Sequence, residues 1–293
     1  KVFIKTSFYN RILRQQRELV IGRKGTGKSA ICLTLKKSLS MDGYKVALIT
    51  PDALSKQKIE QIGADSVTKE EIYLLTWRYV FLVKTSLEFI DLVEDLKIPS
   101  LKHDSEVVRE IKDFLGKHEE IKAGFGRNLA SLVGVINKVQ INILGNGGGI
   151  EKSKSDRSRD DLANLIPKFE KTLARGLIYL ENSRNQIFLL VDKVDEIWYE
   201  NHESKLMISG LLRAAHQFNE KFKNVYTITF LRSDIFDTLK FHDIDKTPGQ
   251  EERLSWDASD IKRLLSRRVS ASVSENSVQE LMLESSLLDD IFC

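Results

Sequence analysis

Two periods of apolar residues alternate along this chain. Glu18 to Gly22 is a short apolar run ending in glycine; a Gly-rich turn follows, then KSAICLTLKKSL, whose apolar positions recur at helical spacing. The pattern predicts strand, loop, helix. YKVALIT, after the turn MDG, predicts a second strand that stops at TPD. Two strands joined by a helix within about thirty residues predict a parallel βαβ unit. From roughly Thr68 to Ser183 the pattern is helical, opening with EEIYLLTWRYVFLVKTSLEFIDLVEDL and closing with LANLIPKFEKTLARGLIYLENS, with no convincing strand between them. Within it, GNGGGIEKSKSDRSRDD combines glycines with alternating charges and almost nothing apolar, and predicts a flexible surface loop near 145–161.

Strand character returns in NQIFLLVDKVDEIW, a continuous apolar run of the kind found in sheets covered on both faces. SKLMISGLLRAAHQFNEKF then predicts an amphipathic helix, NVYTITFLRSDIF another strand and SDIFDTLKF a short helix. After TPGQEERLSW the spacing predicts two more helices, Ala258 to Ser270 and Glu275 to Leu288. The expected fold class is therefore α/β, built on a parallel sheet with a long helical insertion and C-terminal helices.

Composition adds little but excludes some classes. With 45 basic and 42 acidic side chains in 293 residues the net charge is +3, a small imbalance that neither selects nor excludes nucleic acid as a partner. The two cysteines, Cys32 and Cys293, give no disulfide framework and no paired metal spacing, so a reducing cytoplasm is the expected location. The most apolar segment, IYLLTWRYVFLVKTSLEFI, carries Arg78 and Lys84, which makes it a buried helix rather than a membrane span. No membrane partner is expected. The chain opens at Lys1 without a methionine and ends in a helical pattern, and it reads as a piece of a longer protein.

Candidate chemistry starts at Gly22, Gly27, Lys28 and Ser29, which fit G-x-x-x-x-G-K-[ST], with Gly25 as a further glycine. Glycines let the backbone curl so that N–H groups face phosphate oxygens, and the following helix N-terminus favours negative charge. Gly22, Arg23, Lys24, Gly25, Thr26, Gly27, Lys28, Ser29 and Ala30 are the expected nucleotide-binding residues. Lys28 would reach the β- and γ-phosphates and Ser29 would ligate Mg²⁺.

Hydrolysis also needs an anchored metal and a polarised water. In IFLLVDKVDE, Asp192 follows an apolar run and should stand at the carboxyl end of a buried strand, where ligands bind in open α/β sheets. It is the second expected Mg²⁺-associated residue. Asp195 and Glu196 follow as candidates to orient the attacking water, with Glu196 preferred. Lys193 is an awkward neighbour, but alternation along a strand would turn it to the other face. The strand VYTITFLRSD ends in Arg232, a candidate γ-phosphate sensor. Arg263, Arg267 and Arg268 lie on a helix that reads as a solvated basic face rather than a lid over nucleotide.

Together VIGRKGTGKSAI, FLLVDKVDEIW and FLRSDIFDTLKFHDIDKTPGQEERLSWDASDIKRLLSRRV resemble the Sll1717 family of bacterial P-loop ATPases, themselves similar to the STAND and AAA+-like ATPases. The resemblance spans about Phe8 to Leu54 and Asn185 to Ser270. It implies an ATP-fuelled switch that oligomerises when nucleotide is bound and controls effector or sensor domains in the same polypeptide or a partner chain, often in antiviral defence. In its terms, residues 1–67 and 184–257 form the two parts of an ATPase core, 68–183 the helical insertion, and 258–293 a lid or the start of a further domain. Two other readings stand beside it: a nucleic-acid translocase or remodeller using the same loop, and a scaffold that holds ATP without splitting it. Lys193, where the family has a small or acidic residue, keeps the scaffold reading open.

Overall fold

The computed structural model describes residues 7–14, 17–51, 69–96, 105–117, 166–180, 185–239 and 251–272. Five strands form one sheet: β1 (Leu19–Gly22), β2 (Lys45–Ile49), β3 (Ile187–Val191), β4 (Val225–Arg232) and β5 (Glu251–Arg253). Their order across the sheet is β2-β3-β4-β1-β5, and every pairing is parallel. The helices are α1 (Ser7–Leu13), α2 (Lys28–Met41), α3 (Lys69–Leu96), α4 (Ser105–Lys117), α5 (residues 166–178), α6 (His202–Lys221), α7 (Ser233–Thr238) and α8 (Ala258–Ser272).

Parallel strands need long crossovers, which place helices on the sheet faces and bury the strands from both sides. β3, Ile-Phe-Leu-Leu-Val, is buried at every position. Its side chains divide by the period of two: Ile187, Leu189 and Val191 enter one core with α3 and α6, while Phe188 and Leu190 enter the other with α1 and α2. The same division separates Ile21 from Val20 on β1 and Leu231 from Phe230 on β4.

The helical middle is part of the connection between β2 and β3, and its described helices share the core of the sheet. The apolar α3 packs Tyr73, Trp77, Val80 and Phe81 into that core, and Trp77 Nε1 donates to Met207 O of α6 at 3.1 Å. α3 and α6 approach closely at Gly210, where an added Cβ would stand 2.9 Å from Leu74 N. Outside them, Phe114 of α4 stacks on Phe169 of α5. Glu170 of α5, buried, accepts from Arg78 of α3 at 2.9 and 2.6 Å and from Lys221 of α6, tying three helices through one satisfied carboxylate.

Where the expected strands and helices from Glu18 onward fall on described residues they are present, and the structure adds α1, β5 and a 3₁₀ turn at Val194–Ile197. β5 escapes a hydrophobic pattern because it is an edge strand of sequence Glu-Glu-Arg, paired with β1 alone. Its middle residue, Glu252, is buried and accepts from Arg11 of α1 and from Arg17. The Gly-rich loop near 145–161, the helix expected from Glu275 and the boundaries at 67/68 and 183/184 lie outside the described residues. No described helix is long and apolar enough to cross a membrane.

Candidate functional site

In a parallel sheet all strands end at one edge, and here that edge gathers the candidate chemistry. Gly22 ends β1 and is in register with Arg232 at the end of β4. Asp192 follows Val191 at the end of β3, and β4 lies between β1 and β3.

Residues 23–27 connect β1 to α2 as a tight loop whose Gly25 and Gly27 have φ of 89° and 88°, in the left-handed region that favours glycine. The curl closes on the Arg23 carbonyl, which accepts from Thr26 N at 3.2 Å, Thr26 Oγ1 at 2.9 Å and Lys28 Nζ at 3.0 Å. Lys28 Nζ also donates to Gly22 O at 2.9 Å, so its ammonium lies within the loop. Ser29 and Ala30 are exposed on the first turn of α2, and Gly27, the residue before that turn, provides no side-chain cap. The turn therefore retains the partial positive charge of a helix N-terminus. Arg23 and Lys24 are exposed on the loop.

Two neighbours come from beyond β5. Leu254 N donates to Ile21 O at 2.7 Å, and a Cβ at Gly22 would meet Leu254 Cβ at 3.2 Å and Thr26 Oγ1 at 2.5 Å. Trp256 Nε1 donates to Thr26 O at 2.9 Å, and its Cζ2 would lie 3.9 Å from a Cβ on Gly27. Neither residue is a candidate on sequence grounds. The available signal was a lone tryptophan in an otherwise polar run just after a segment without strand pattern.

Several charges act on Lys28. Burial, the largest influence, lowers its pKa; Asp195, Asp192 and Asp234 oppose this and Arg232 adds to it. Asp192 is buried, with its N–H bonded to Ile49 O at 3.0 Å. The Cys32 thiol beneath the loop is pushed up, chiefly by burial and then by Asp192. The site thus brings Lys28, Asp192, Asp195 and Arg232 together.

The structure differs from the sequence expectation at Lys193. Strand alternation does not orient Lys193, because the strand has already ended: Lys193 has φ of 62° and opens the 3₁₀ turn. Its Nζ lies 3.3 Å from Glu196 Oε1, so the two pair with each other, while Asp195 is the carboxylate that acts most strongly on Lys28. Arg232 is also engaged. Its Nε and Nη2 donate to the two carboxylate oxygens of Asp234 at 3.1 and 2.5 Å, and its Nη1 lies 3.9 Å from Asp195 Oδ2. The hydrogen bond from Arg232 is the main reason the Asp234 carboxyl is held below its ordinary value. Arg263 is exposed and 3.8 Å from Asp260, as expected of a solvated face; the side chains of Arg267 and Arg268 lie outside the described residues.

Among the described residues no three His, Cys, Asp or Glu side chains are grouped to hold a metal. The exposed Ser29 hydroxyl and the buried Asp192 carboxylate are oxygen donors of the kind that could hold Mg²⁺, a hard cation that keeps several waters. The cradle is suited to an anion by its positive-φ glycines, its uncapped helix start and its lysine.

Fold and site together define an α/β protein with a five-stranded all-parallel sheet flanked by helices, its polar residues gathered at the carboxyl edge. No family model matches the chain. It is distantly similar to a protein of Escherichia coli (strain K12) described as "Putative transposon gamma-delta 80.3 kDa protein", with 25% identity over 289 aligned residues. The alignment covers 91% of this chain and 37% of that protein, so the chain spans little more than a third of its relative's length.

Proposed function

We propose that the chain is an ATP-binding and ATP-hydrolysing switch module of a larger bacterial protein. The observation that carries this reading is the convergence of Lys28, on a curled glycine-rich loop, with Asp192, Asp195 and Arg232 from the ends of the two neighbouring strands. Loop amides and the start of α2 hold the phosphates, and Lys28 exchanges its two loop carbonyls for phosphate oxygens. Ser29 and Asp192 hold Mg²⁺, which when bound neutralises charge on the phosphates. Asp195 or Glu196 orients water, and Arg232, released from Asp234, meets charge developing on the γ-phosphate. The family resemblance adds nucleotide-controlled oligomerisation and a defence role for the whole protein.

Lys28→Ala tests the reading. A charged donor to phosphate contributes about 1.5–3 kcal/mol. Calorimetry should therefore find ATP binding weakened about 10- to 100-fold, and unchanged affinity would overturn it.

Two observations favour other readings of the same site. The transposon named in the relative's description favours a nucleic-acid-dependent ATPase, and DNA-stimulated hydrolysis would select it. The Lys193–Glu196 pair favours an ATP-holding scaffold, and ATP binding without phosphate release in a single turnover would select that.

A further inference from the structure

The glycine-rich loop and helix α8 are joined through one side chain. Trp256 Nε1 donates to the Thr26 carbonyl, and its Cζ2 lies 3.9 Å from where a Cβ on Gly27 would stand. Only Asp257 separates Trp256 from α8, and Asp257 caps that helix: its Oδ1 accepts from Asp260 N and Ser259 Oγ, each at 2.7 Å, and its carbonyl accepts from Ile261 N at 3.1 Å. These bonds fix the first turn of α8 to Asp257. Two residues before Trp256, Leu254 is fastened to β1 through Ile21 O, so the segment is tied to the strand at one point and to the loop at the next.

The loop has a reason to move. The Arg23 carbonyl takes donors from Thr26 N, Thr26 Oγ1 and Lys28 Nζ, and an anion that draws Lys28 away removes one of them. Thr26, which makes the other two of those bonds, is the residue whose carbonyl receives the Trp256 indole. A ligand shifts a conformational equilibrium only through contacts that differ between its states, and this hydrogen bond is such a contact.

We infer that Trp256 couples occupancy of the glycine-rich loop to the placement of α8, the indole contact with Thr26 being firmer when the loop is occupied, so that this helix is the first element to sense nucleotide. The inference rests on the nucleotide-binding reading above and adds its output route. Trp256 is a positioning residue in this role: it acts on phosphate through the Thr26 peptide. Coupling is reciprocal, so loosening the indole contact must also weaken nucleotide binding.

Hydrogen exchange of the whole chain, with and without saturating Mg·ATP, tests this, with calorimetry run on the same samples. In the unaltered chain ATP should slow exchange in residues 257–272 about three- to tenfold, the range of one hydrogen bond. Trp256→Phe, which keeps an aromatic ring and loses the N–H, should bind ATP about fivefold more weakly and lose most of that protection. Trp256→Ala should lose all of it, and a far-ultraviolet circular dichroism spectrum unchanged in the phenylalanine variant keeps the comparison valid if the alanine variant does not fold. ATP binding with no change in 257–272, or equal protection in Trp256→Phe, overturns the coupling alone. No ATP binding by the unaltered chain overturns the nucleotide reading and the coupling with it.

Discussion

Gly22→Ala isolates the tightest steric requirement of the site. The added Cβ would stand 2.5 Å from Thr26 Oγ1 and 3.2 Å from Leu254 Cβ. The first distance is impossible, so Thr26 must turn its hydroxyl away and give up its 2.9 Å bond to Arg23 O. That loss costs about 1 kcal/mol. Crowding against Leu254, part of a strand-anchored segment, adds about 1–2 kcal/mol, as overpacking does elsewhere. The single variant should therefore lose about 2–3 kcal/mol in urea unfolding with unchanged m. Thr26→Ala loses the same hydrogen bond and costs about 1 kcal/mol by itself. In the double variant that bond is lost once rather than twice, so the pair should be about 1 kcal/mol less destabilising than the sum of the singles. Additivity within about 0.5 kcal/mol would refute the contact between Gly22 and Thr26 and with it the described curl of the loop.

Gly210→Ala should destabilise by about 2–3 kcal/mol in thermal unfolding, because its Cβ would meet the backbone of α3, which cannot rotate away; Gly116→Ala, with open space around it, should instead be neutral or stabilise by up to about 1 kcal/mol. Glu252 has its carboxyl held below the ordinary 4.5, first by the hydrogen bond from Arg11. A depressed carboxylate contributes stability that is present above its unfolded value and lost as pH falls through the folded one. Unfolding midpoints should thus drop on acidification below about 4.5, and Glu252→Gln should flatten that drop. If Asp195 orients water, single-turnover phosphate release should slow more in Asp195→Asn than in Glu196→Gln, since Asp195 acts on Lys28 while Glu196 pairs with Lys193; the reverse order would assign that role to Glu196.

The sequence by itself determined the elements whose burial leaves a period. β3 is legible because both faces of a central parallel strand must be apolar, and α3 because a helix pressed between sheet and outer helices has few polar positions to spare. The glycine-rich loop is legible because its backbone demands glycine at Gly25 and Gly27 whatever the rest of the chain does. Tertiary structure alone decided the rest. Edge strand β5 is held by pairing with β1 and by arginines brought from α1 and Arg17, which no local pattern encodes. Asp195 and Glu196 are adjacent and alike in the sequence, yet the turn that opens at Lys193 with φ of 62° pairs Glu196 with Lys193 and leaves Asp195 beside Arg232. Trp256 reaches the loop across 230 residues of chain because β5 lies beside β1, and only the order of strands in the sheet brings them together.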